Sequence, residues 1–477
     1  MPYRKQVMLT RRTFQAGLLS AASGLGTARA DPAAVAGTWS GLLQAGSQRL
    51  RLKLEIGPDG VASLFSLDQG GQPLAGRVNS STAELIEIAF PTIRAVFAGR
   101  SVAPDRIEGT WRQGGGDLPL VLNRGVAALD APPPLPPLTR ERLAELRRAA
   151  GSPALAAASA RKDGLTRVWV DGERAVGSGI TAQESDLWHV GSISKSMTAS
   201  LVARLADAGA LRWEDAVGNV LKDVAPQMHE AYKPVTFRHL LSHRSGLAKD
   251  LLPADFARFS RLIDDAREER QSFARLALAM PPKGAMGATF EYSNNGYVVA
   301  GAMLEAKLGK SWEDLMRTHL FAPLQLSSAG FGAPGQKGKT DQPVGHAKDP
   351  GGEGRQAYPI GGIVTDNPVV LGPAGRIHMS LQDVLRYLSA HRDRTGFLKP
   401  ETWTILHTPP FVGDYAMGWI VRKSGALSHA GSNTLWYAEV LVDAAAGVVA
   451  TAASNDGYAS KSAPAVGRAL LQAAAAT

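Results

Sequence analysis

The chain has 477 residues, of which 44% are hydrophobic and 20% charged, and a formal net charge of +9 at pH 7. It contains no cysteine, which excludes thiol catalysis, disulfides and cysteine-ligated metal sites. The length predicts two or three domains, and no apolar run approaches the roughly 18 residues of a membrane-spanning helix.

Residues 1–30 have the features of an export signal and contain no acidic residue. The segment 10–14 resembles a twin-arginine box, a weakly apolar stretch follows, and residues 28–30 have the Ala-x-Ala pattern of a cleavage site. The alternative is a disordered basic tail, but such a tail would not require an arginine pair, an apolar stretch and a cleavage pattern in this order. We therefore predict a twin-arginine-type signal peptide and a bacterial protein that is periplasmic or secreted. The cationic residues of this segment are Arg4, Lys5, Arg11, Arg12 and Arg29.

Without those five cations the mature chain carries a net charge of only +4. A charge of this size, spread along the chain, indicates neither a nucleic-acid site nor a polybasic membrane site. We expect no nucleic-acid partner and no transmembrane helix in the mature chain, and the sequence leaves the oligomeric state open.

Residues 31–130 are predicted to form an all-β accessory domain. The segment 49–56 alternates strictly, with apolar residues at even positions, which is typical of a strand with one buried face. A Gly-Pro-Asp-Gly turn at 57–60 then predicts a returning strand over 61–67. Further strands are predicted at 83–90, 93–98, 106–112 and 118–122.

The Gly-Thr-Trp of residues 37–39 is repeated at residues 109–111. The repeat favours two neighbouring strands of a small closed barrel, loosely resembling calycin barrels. This domain shows no catalytic constellation, and the sequence leaves open whether it is structural or binds a ligand.

A proline-rich segment at 131–138 predicts a semi-rigid linker and places a second domain at 139–477. This domain is predicted to begin with a helix and two strands. Near the C-terminus, two antiparallel strands precede a final helix. Strands from both ends indicate one antiparallel sheet, with a largely helical middle at about 195–425. The predicted helices are 140–150 and 461–475, and the predicted strands are 153–160, 165–171, 436–442 and 447–454.

Ser192 and Lys195 are three residues apart at a predicted helix start. Residues at this spacing share one helix face, and free backbone N–H groups there favour developing negative charge. A serine hydroxyl needs a base to become a nucleophile, and a lysine serves only if its pKa is lowered. The spacing alone is not sufficient, because a capping serine followed by a surface lysine is the usual explanation of such a pair.

Two further segments carry candidate side chains. Tyr292 and Asn294 lie at i and i+2, so a phenol could share a proton with Lys195 and a carboxamide could bind a substrate carbonyl. Gly431 and Ser432 follow His429, and the N–H of Ser432 could complete an oxyanion hole with that of Ser192. Read alone, each segment also fits a buried tyrosine, a helix cap or a half-buried histidine.

Together these segments resemble the serine β-lactamase-related family, which includes class C β-lactamases, D-Ala-D-Ala carboxypeptidases, D-aminopeptidases and family VIII-type esterases. The similarity covers roughly residues 140–470 and is specific in combination. It implies an antiparallel sheet flanked by helices, beside an all-helical subdomain, with Ser192 in the cleft between them. The segments that carry it are 191–195, 240–247, 292–294, 372–376, 380–383 and 429–431.

The resemblance implies that Ser192 is the acylated nucleophile, Lys195 its proton acceptor and Tyr292 a general base or acid. Asn294, His429, Gly431 and Ser432 are implied to contact the substrate, without metal or organic cofactor. Many relatives have Lys-Thr where this chain has His429 and Ala430. The histidine offers a substrate carboxylate only a weaker, pH-dependent cation. This departure favours small esters, amides or peptides over efficient β-lactam hydrolysis.

The predicted function is therefore that of an exported serine hydrolase of esterase or D-amino-acid peptidase type. The alternative is a non-catalytic protein of the same fold that binds peptidoglycan or another partner, or acts as a sensor.

Overall fold

The computed structural model describes residues 32–45, 48–69, 73–82, 85–113, 116–125, 135–259, 263, 265–361 and 365–476. The predicted signal peptide lies outside these residues. The chain divides into two compact units between residues 134 and 135. Within the described ranges, no helix is long and apolar enough to cross a membrane.

The first unit is a closed barrel of eight antiparallel strands in sequence order, which confirms the predicted small all-β barrel. The segment 49–56 pairs with the returning strand through the predicted turn. The strands are β1 (Gly37–Ala45), β2 (Gln48–Ile56), β3 (Val61–Ser66), β4 (Pro73–Ser81), β5 (Ile86–Phe90), β6 (Ala95–Ala103), β7 (Arg106–Gln113) and β8 (Gly116–Arg124).

The two Gly-Thr-Trp segments do not lie on neighbouring strands, so that prediction is wrong. Each strand pairs with the next in sequence, and closure therefore brings β8, not β7, beside β1. Trp39 and Trp111 nevertheless belong to the same buried core, each with about 1% of its surface exposed. The repeated motif reflects a shared inward position rather than a shared hydrogen-bonded edge.

The second unit combines a six-stranded antiparallel sheet with helices and smaller sheets. Its strands are β9 (Ala154–Arg161), β10 (Thr166–Gly172), β11 (Leu187–His189), β12 (Gly330–Phe331), β13 (Gly345–Lys348), β14 (Arg355–Tyr358), β15 (Ile377–Ser380), β16 (Ile420–Val421), β17 (Leu427–Ser432), β18 (Tyr437–Asp443) and β19 (Val448–Ser454). Its helices are α1 (Arg140–Ala150), α2 (Ser194–Asp207), α3 (Val217–Val220), α4 (Phe237–Leu241), α5 (Pro253–Phe256), α6 (Arg267–Ala279), α7 (Asn294–Leu308), α8 (Trp312–Met316), α9 (Gly372–Gly375), α10 (Leu381–Asp393), α11 (Pro400–His407) and α12 (Ala459–Ala475).

The large sheet has the order β10-β9-β19-β18-β17-β16, which confirms a sheet built from both ends of the domain. Strand β9 alternates between two cores. Ala154, Ala156 and Ala158 pack with the central helices, whereas Leu155 and Ala157 pack against α1 and α12. Both faces are covered, and this explains why β9 is apolar along nearly its whole length.

Helix α2, which follows Ser192, is enclosed on all sides. Every residue from Ser194 to Ala203 is buried, polar ones included. The buried hydroxyls of the helix are satisfied within the protein: Ser196 donates to the Ile193 carbonyl and Thr198 to the Pro373 carbonyl. A helix packed in this way holds the turn before it in a single position.

Candidate active site

Ser192 lies in a 3₁₀ turn, Gly191–Ile193, that leads directly into α2. This turn packs against β17 at two glycines. A Cβ at Gly191 would lie 2.4 Å from the backbone nitrogen of Ser432, and one at Gly431 would lie 2.0 Å from the Val190 carbonyl oxygen. Only glycine fits at either position, and their close approach brings the backbone amides of residues 192 and 432 together.

Lys195 is fully buried one helical turn after Ser192. Its Nζ lies 3.1 Å from Ser192 Oγ, 2.8 Å from Asn294 Oδ1 and 2.7 Å from the Ala374 carbonyl oxygen. The last two atoms can only accept, so each takes one proton from Nζ. A neutral amine has two protons, and its lone pair then faces the Ser192 hydroxyl.

The pKa of Lys195 is lowered to about 7, mainly because burial disfavours the ammonium form. Asp250 raises this pKa and Lys249 lowers it further, both by smaller amounts. At neutral pH a large fraction of Lys195 is therefore a free amine, which is the form that can accept a proton from serine.

Tyr292 lies beside this lysine, with its ring centroid 4.8 Å from Nζ. Burial raises the pKa of Tyr292 to about 12, and a hydrogen bond with Ser192 opposes this shift only in part. The phenol is therefore protonated at neutral pH. In the resting site Tyr292 is an acid, while Lys195 is the group able to act as a base.

Asn294 is the first residue of α7 and connects Lys195 to an acidic group that the sequence analysis missed. Its Oδ1 accepts from Lys195, and its Nδ2 donates to Asp250 Oδ1 over 2.7 Å. The backbone N–H of Asn294 also bonds the Lys249 carbonyl. Asp250 is three residues beyond the 240–247 segment, and neither periodicity nor spacing marks it as part of the site.

The structure places His429 on β17 behind the site. Its Nδ1 donates to the Ala430 carbonyl over 2.7 Å, and its Nε2 accepts from the Tyr415 hydroxyl over 3.0 Å. Burial, helped by the charge of Lys195, lowers the pKa of His429 to about 4. The ring is therefore neutral at pH 7, and the cation expected from the sequence would appear only in acid.

A cavity of about 530 Å³ opens over these groups. Ser192, Tyr292, Asn294 and Ser432 line it, whereas His429 does not. The cavity is lined by both ionic and apolar side chains. The remaining lining residues are Lys249, Asp250, Leu251, Pro253, Phe256, Asn367, Leu371, Ala374, Gly375, Asn433 and Thr434. Within the described ranges, no group of three or more His, Asp or Glu side chains could hold a metal ion.

His243 supports the tyrosine side of the site, a role the sequence did not indicate. It is fully buried, its Nδ1 accepts from the Ser293 N–H over 3.0 Å, and its ring centroid lies 4.3 Å from that of Tyr292. These contacts hold the segment that carries Tyr292 and Asn294. His243 belongs to the 240–247 segment, and its partner lies fifty positions away in the sequence, so no local pattern indicates the contact.

The β-lactamase family profile matches residues 140–475. The chain is 30% identical to penicillin-binding protein 4 of Amycolatopsis lactamdurans over 46% of this chain and 54% of that protein. It is also 30% identical to esterase EstB of Burkholderia gladioli, over 47% and 62% of the two chains. The matches thus span little more than half the length of these relatives.

Among solved structures, the D-amino acid amidase of Ochrobactrum anthropi SV3 aligns with a TM-score of 0.58 and 18% identity. The alignment covers 70% of this chain and 97% of the amidase. At this identity the similarity shows a shared fold.

Proposed function

The chain belongs to the β-lactamase family, and we propose that it is a serine hydrolase whose Ser192 is acylated by an ester or amide substrate. One observation carries this proposal above the others. Ser192 Oγ lies 3.1 Å from the Nζ of a buried lysine whose pKa is about 7. A helix-capping serine followed by a surface lysine would have neither the contact nor the lowered pKa.

In the proposed reaction, the neutral amine of Lys195 takes the Ser192 proton while Oγ attacks the substrate carbonyl carbon. The backbone N–H groups of Ser192 and Ser432 bind the developing oxyanion. The phenol of Tyr292 then donates its proton to the leaving group as the bond to the acyl carbon breaks. Lys195 returns a proton to Tyr292, and the reverse sequence lets water release the acyl group.

For the substrate, we propose small esters and amides, including D-amino-acid derivatives, over efficient β-lactam hydrolysis. The neutral, buried His429 supplies no cation for a substrate carboxylate at neutral pH. The wall of the cavity includes apolar side chains such as Leu251 and Phe256 beside the ionic ones. Relatives named as an esterase and a penicillin-binding protein, and the fold shared with an amidase, support this range.

Labelling with a fluorophosphonate, followed by intact mass, tests the nucleophile. We expect one adduct on the wild type and none on Ser192→Ala, because Ser192 lines the cavity and its Oγ lies 3.1 Å from the Nζ of Lys195. The exposed Ser327 serves as a control, and Ser327→Ala should label like the wild type. If the folded wild type acquires no adduct, the proposal fails and the non-catalytic binding reading replaces it.

We further propose that the protein is exported through a twin-arginine signal, on the basis of residues 10–14 and the Ala28-Arg29-Ala30 pattern. The mature chain recovered from a bacterial host is then expected to begin at Asp31. Exchange of Arg11 and Arg12 for lysine should leave the full-length precursor in the cytoplasm. Recovery of an uncleaved wild-type chain would contradict this proposal.

A further inference from the structure

A buried network lies next to the cavity and includes no residue to which the proposed reaction assigns a role. Its centre is Asp366, whose side chain is 4% exposed. The network joins the strand before Ser192 to the turn after Ser432, although these segments are far apart in sequence.

On the Ser192 side, the link is His189, whose side chain is fully buried. Its Nδ1 accepts from the Gly191 N–H over 3.1 Å, so the ring proton is on Nε2. That Nε2 lies 3.3 Å from Asp366 Oδ2. The imidazole thus accepts a hydrogen bond from the backbone of the nucleophile turn on one side and is in close polar contact with the carboxylate on the other.

On the Ser432 side, the link is Asn433, which immediately follows Ser432. Its Nδ2 donates to Asp366 Oδ1 over 2.8 Å. Its Oδ1 accepts from the backbone N–H groups of Leu435 and Trp436, at 3.2 and 3.1 Å. The side chain therefore closes the turn that ends β17 and ties it to the same carboxylate.

Two further contacts hold the centre in place. Arg376 Nε lies 3.3 Å from Asp366 Oδ2, and the backbone N–H of Asn367 donates to Oδ1 over 2.7 Å. Burial alone would raise the pKa of Asp366, but His189, Arg376 and the hydrogen bonds hold it below its ordinary value. The ring of Trp436 stacks on His189 with centroids 5.5 Å apart and packs against the imidazole.

We propose that Asp366 is a positioning residue that aligns the two backbone amides of the oxyanion hole, through His189 on one side and Asn433 on the other. This inference rests on the proposed acyl-enzyme reaction. The carboxylate does not line the cavity. It orients two peptide groups toward one point, and a hole whose donors are displaced by a fraction of an ångström stabilises the tetrahedral oxyanion poorly.

The test compares Asp366→Asn with the wild-type full chain in hydrolysis of p-nitrophenyl butyrate and in inhibition by phenylboronic acid. Phenylboronic acid forms a tetrahedral adduct on a serine and so reports on the oxyanion site. We expect kcat to fall about tenfold to a hundredfold with KM within about threefold, and the inhibition constant to rise in proportion to the loss of kcat. A general loss of stability would not produce that proportion.

Asp456→Asn is the matched control. Asp456 is a fully buried aspartate whose Oδ2 accepts from Arg355 Nε and Ser152 Oγ, both over 2.8 Å, and none of the three lines the cavity. Loss of this ion pair should lower Tm while kcat and boronate affinity stay within about threefold of the wild type.

If Asp366→Asn does not fold, His189→Gln provides the second variant. The glutamine amide can still donate to Asp366 but no longer accepts from the Gly191 N–H, and the same loss of kcat and boronate affinity is expected. The inference is overturned if the folded variant keeps wild-type kcat, or if the Asp456→Asn control loses kcat equally. If the wild type is labelled by the fluorophosphonate but the variant keeps the wild-type kcat, only this inference is refuted. If the wild type is not labelled, the proposed function is refuted as well.

Discussion

Replacing Lys195 with methionine is expected to lower kcat for ester hydrolysis by about a thousandfold or more. The variant removes the amine that lies 3.1 Å from Ser192 Oγ, and a positioned general base contributes typically 10²–10⁴-fold to a rate. Methionine fills a similar apolar volume, so the surrounding helix should stay packed. Steady-state kinetics with p-nitrophenyl butyrate measure the loss.

The same lysine predicts the pH dependence of the wild type. The reactive form is the neutral amine, and its fraction increases as pH rises through the pKa of about 7. We therefore expect kcat/KM to rise about tenfold per pH unit below pH 7 and to level off above it. The exposed Lys222 offers a control, and Lys222→Met should show the wild-type profile.

Lys195→Met should also change the free energy of unfolding, in a direction that follows from the lowered pKa. The folded state holds Lys195 at a lowered pKa, so between about pH 7 and 10.5 the unfolded chain binds more protons and stability rises with pH. The cost of burying the ammonium is fully present below pH 7. Lys195→Met should therefore raise the free energy of unfolding more at pH 6 than at pH 9, as measured by urea denaturation. An equal effect at both values would contradict a buried lysine with a lowered pKa.

Tyr292→Phe is expected to lower kcat by about a hundredfold to a thousandfold with little change in KM. The variant removes the phenol proton intended for the leaving group but keeps the ring that packs 4.3 Å from His243. The effect should shrink for esters with a good leaving group, such as p-nitrophenolate, because these need little protonation. Alkyl esters and amides should show the full loss.

Tyr297→Phe is the matched control for this prediction. Tyr297 is fully buried, and its ring centroid lies 5.6 Å from Lys195 Nζ, but its hydroxyl donates to the Leu241 carbonyl. Loss of that hydrogen bond should lower the free energy of unfolding by about 1 kcal/mol and leave kcat nearly unchanged. Equal losses of kcat in both variants would show that packing around the lysine, rather than the Tyr292 proton, controls the rate.

Local patterns predicted most of the architecture because the forces behind them act over short sequence distances. Helix α1 matches its prediction because Thr139 caps its first turn and Gly151, at φ 66°, ends it. The strand pair β2 and β3 follows from alternation and an intervening turn. Closure of the barrel is a long-range property, and the neighbours expected from the Gly-Thr-Trp repeat were accordingly wrong.

The sequence by itself determined which residues can meet through regular geometry. Three-residue spacing at the start of α2 puts Lys195 beside Ser192, and the combination of short motifs indicates the family. Only the tertiary structure decided their chemical states. Burial from every side makes Lys195 a base, keeps Tyr292 protonated and leaves His429 neutral. Desolvation depends on atoms contributed from distant parts of the chain, and no local pattern records it.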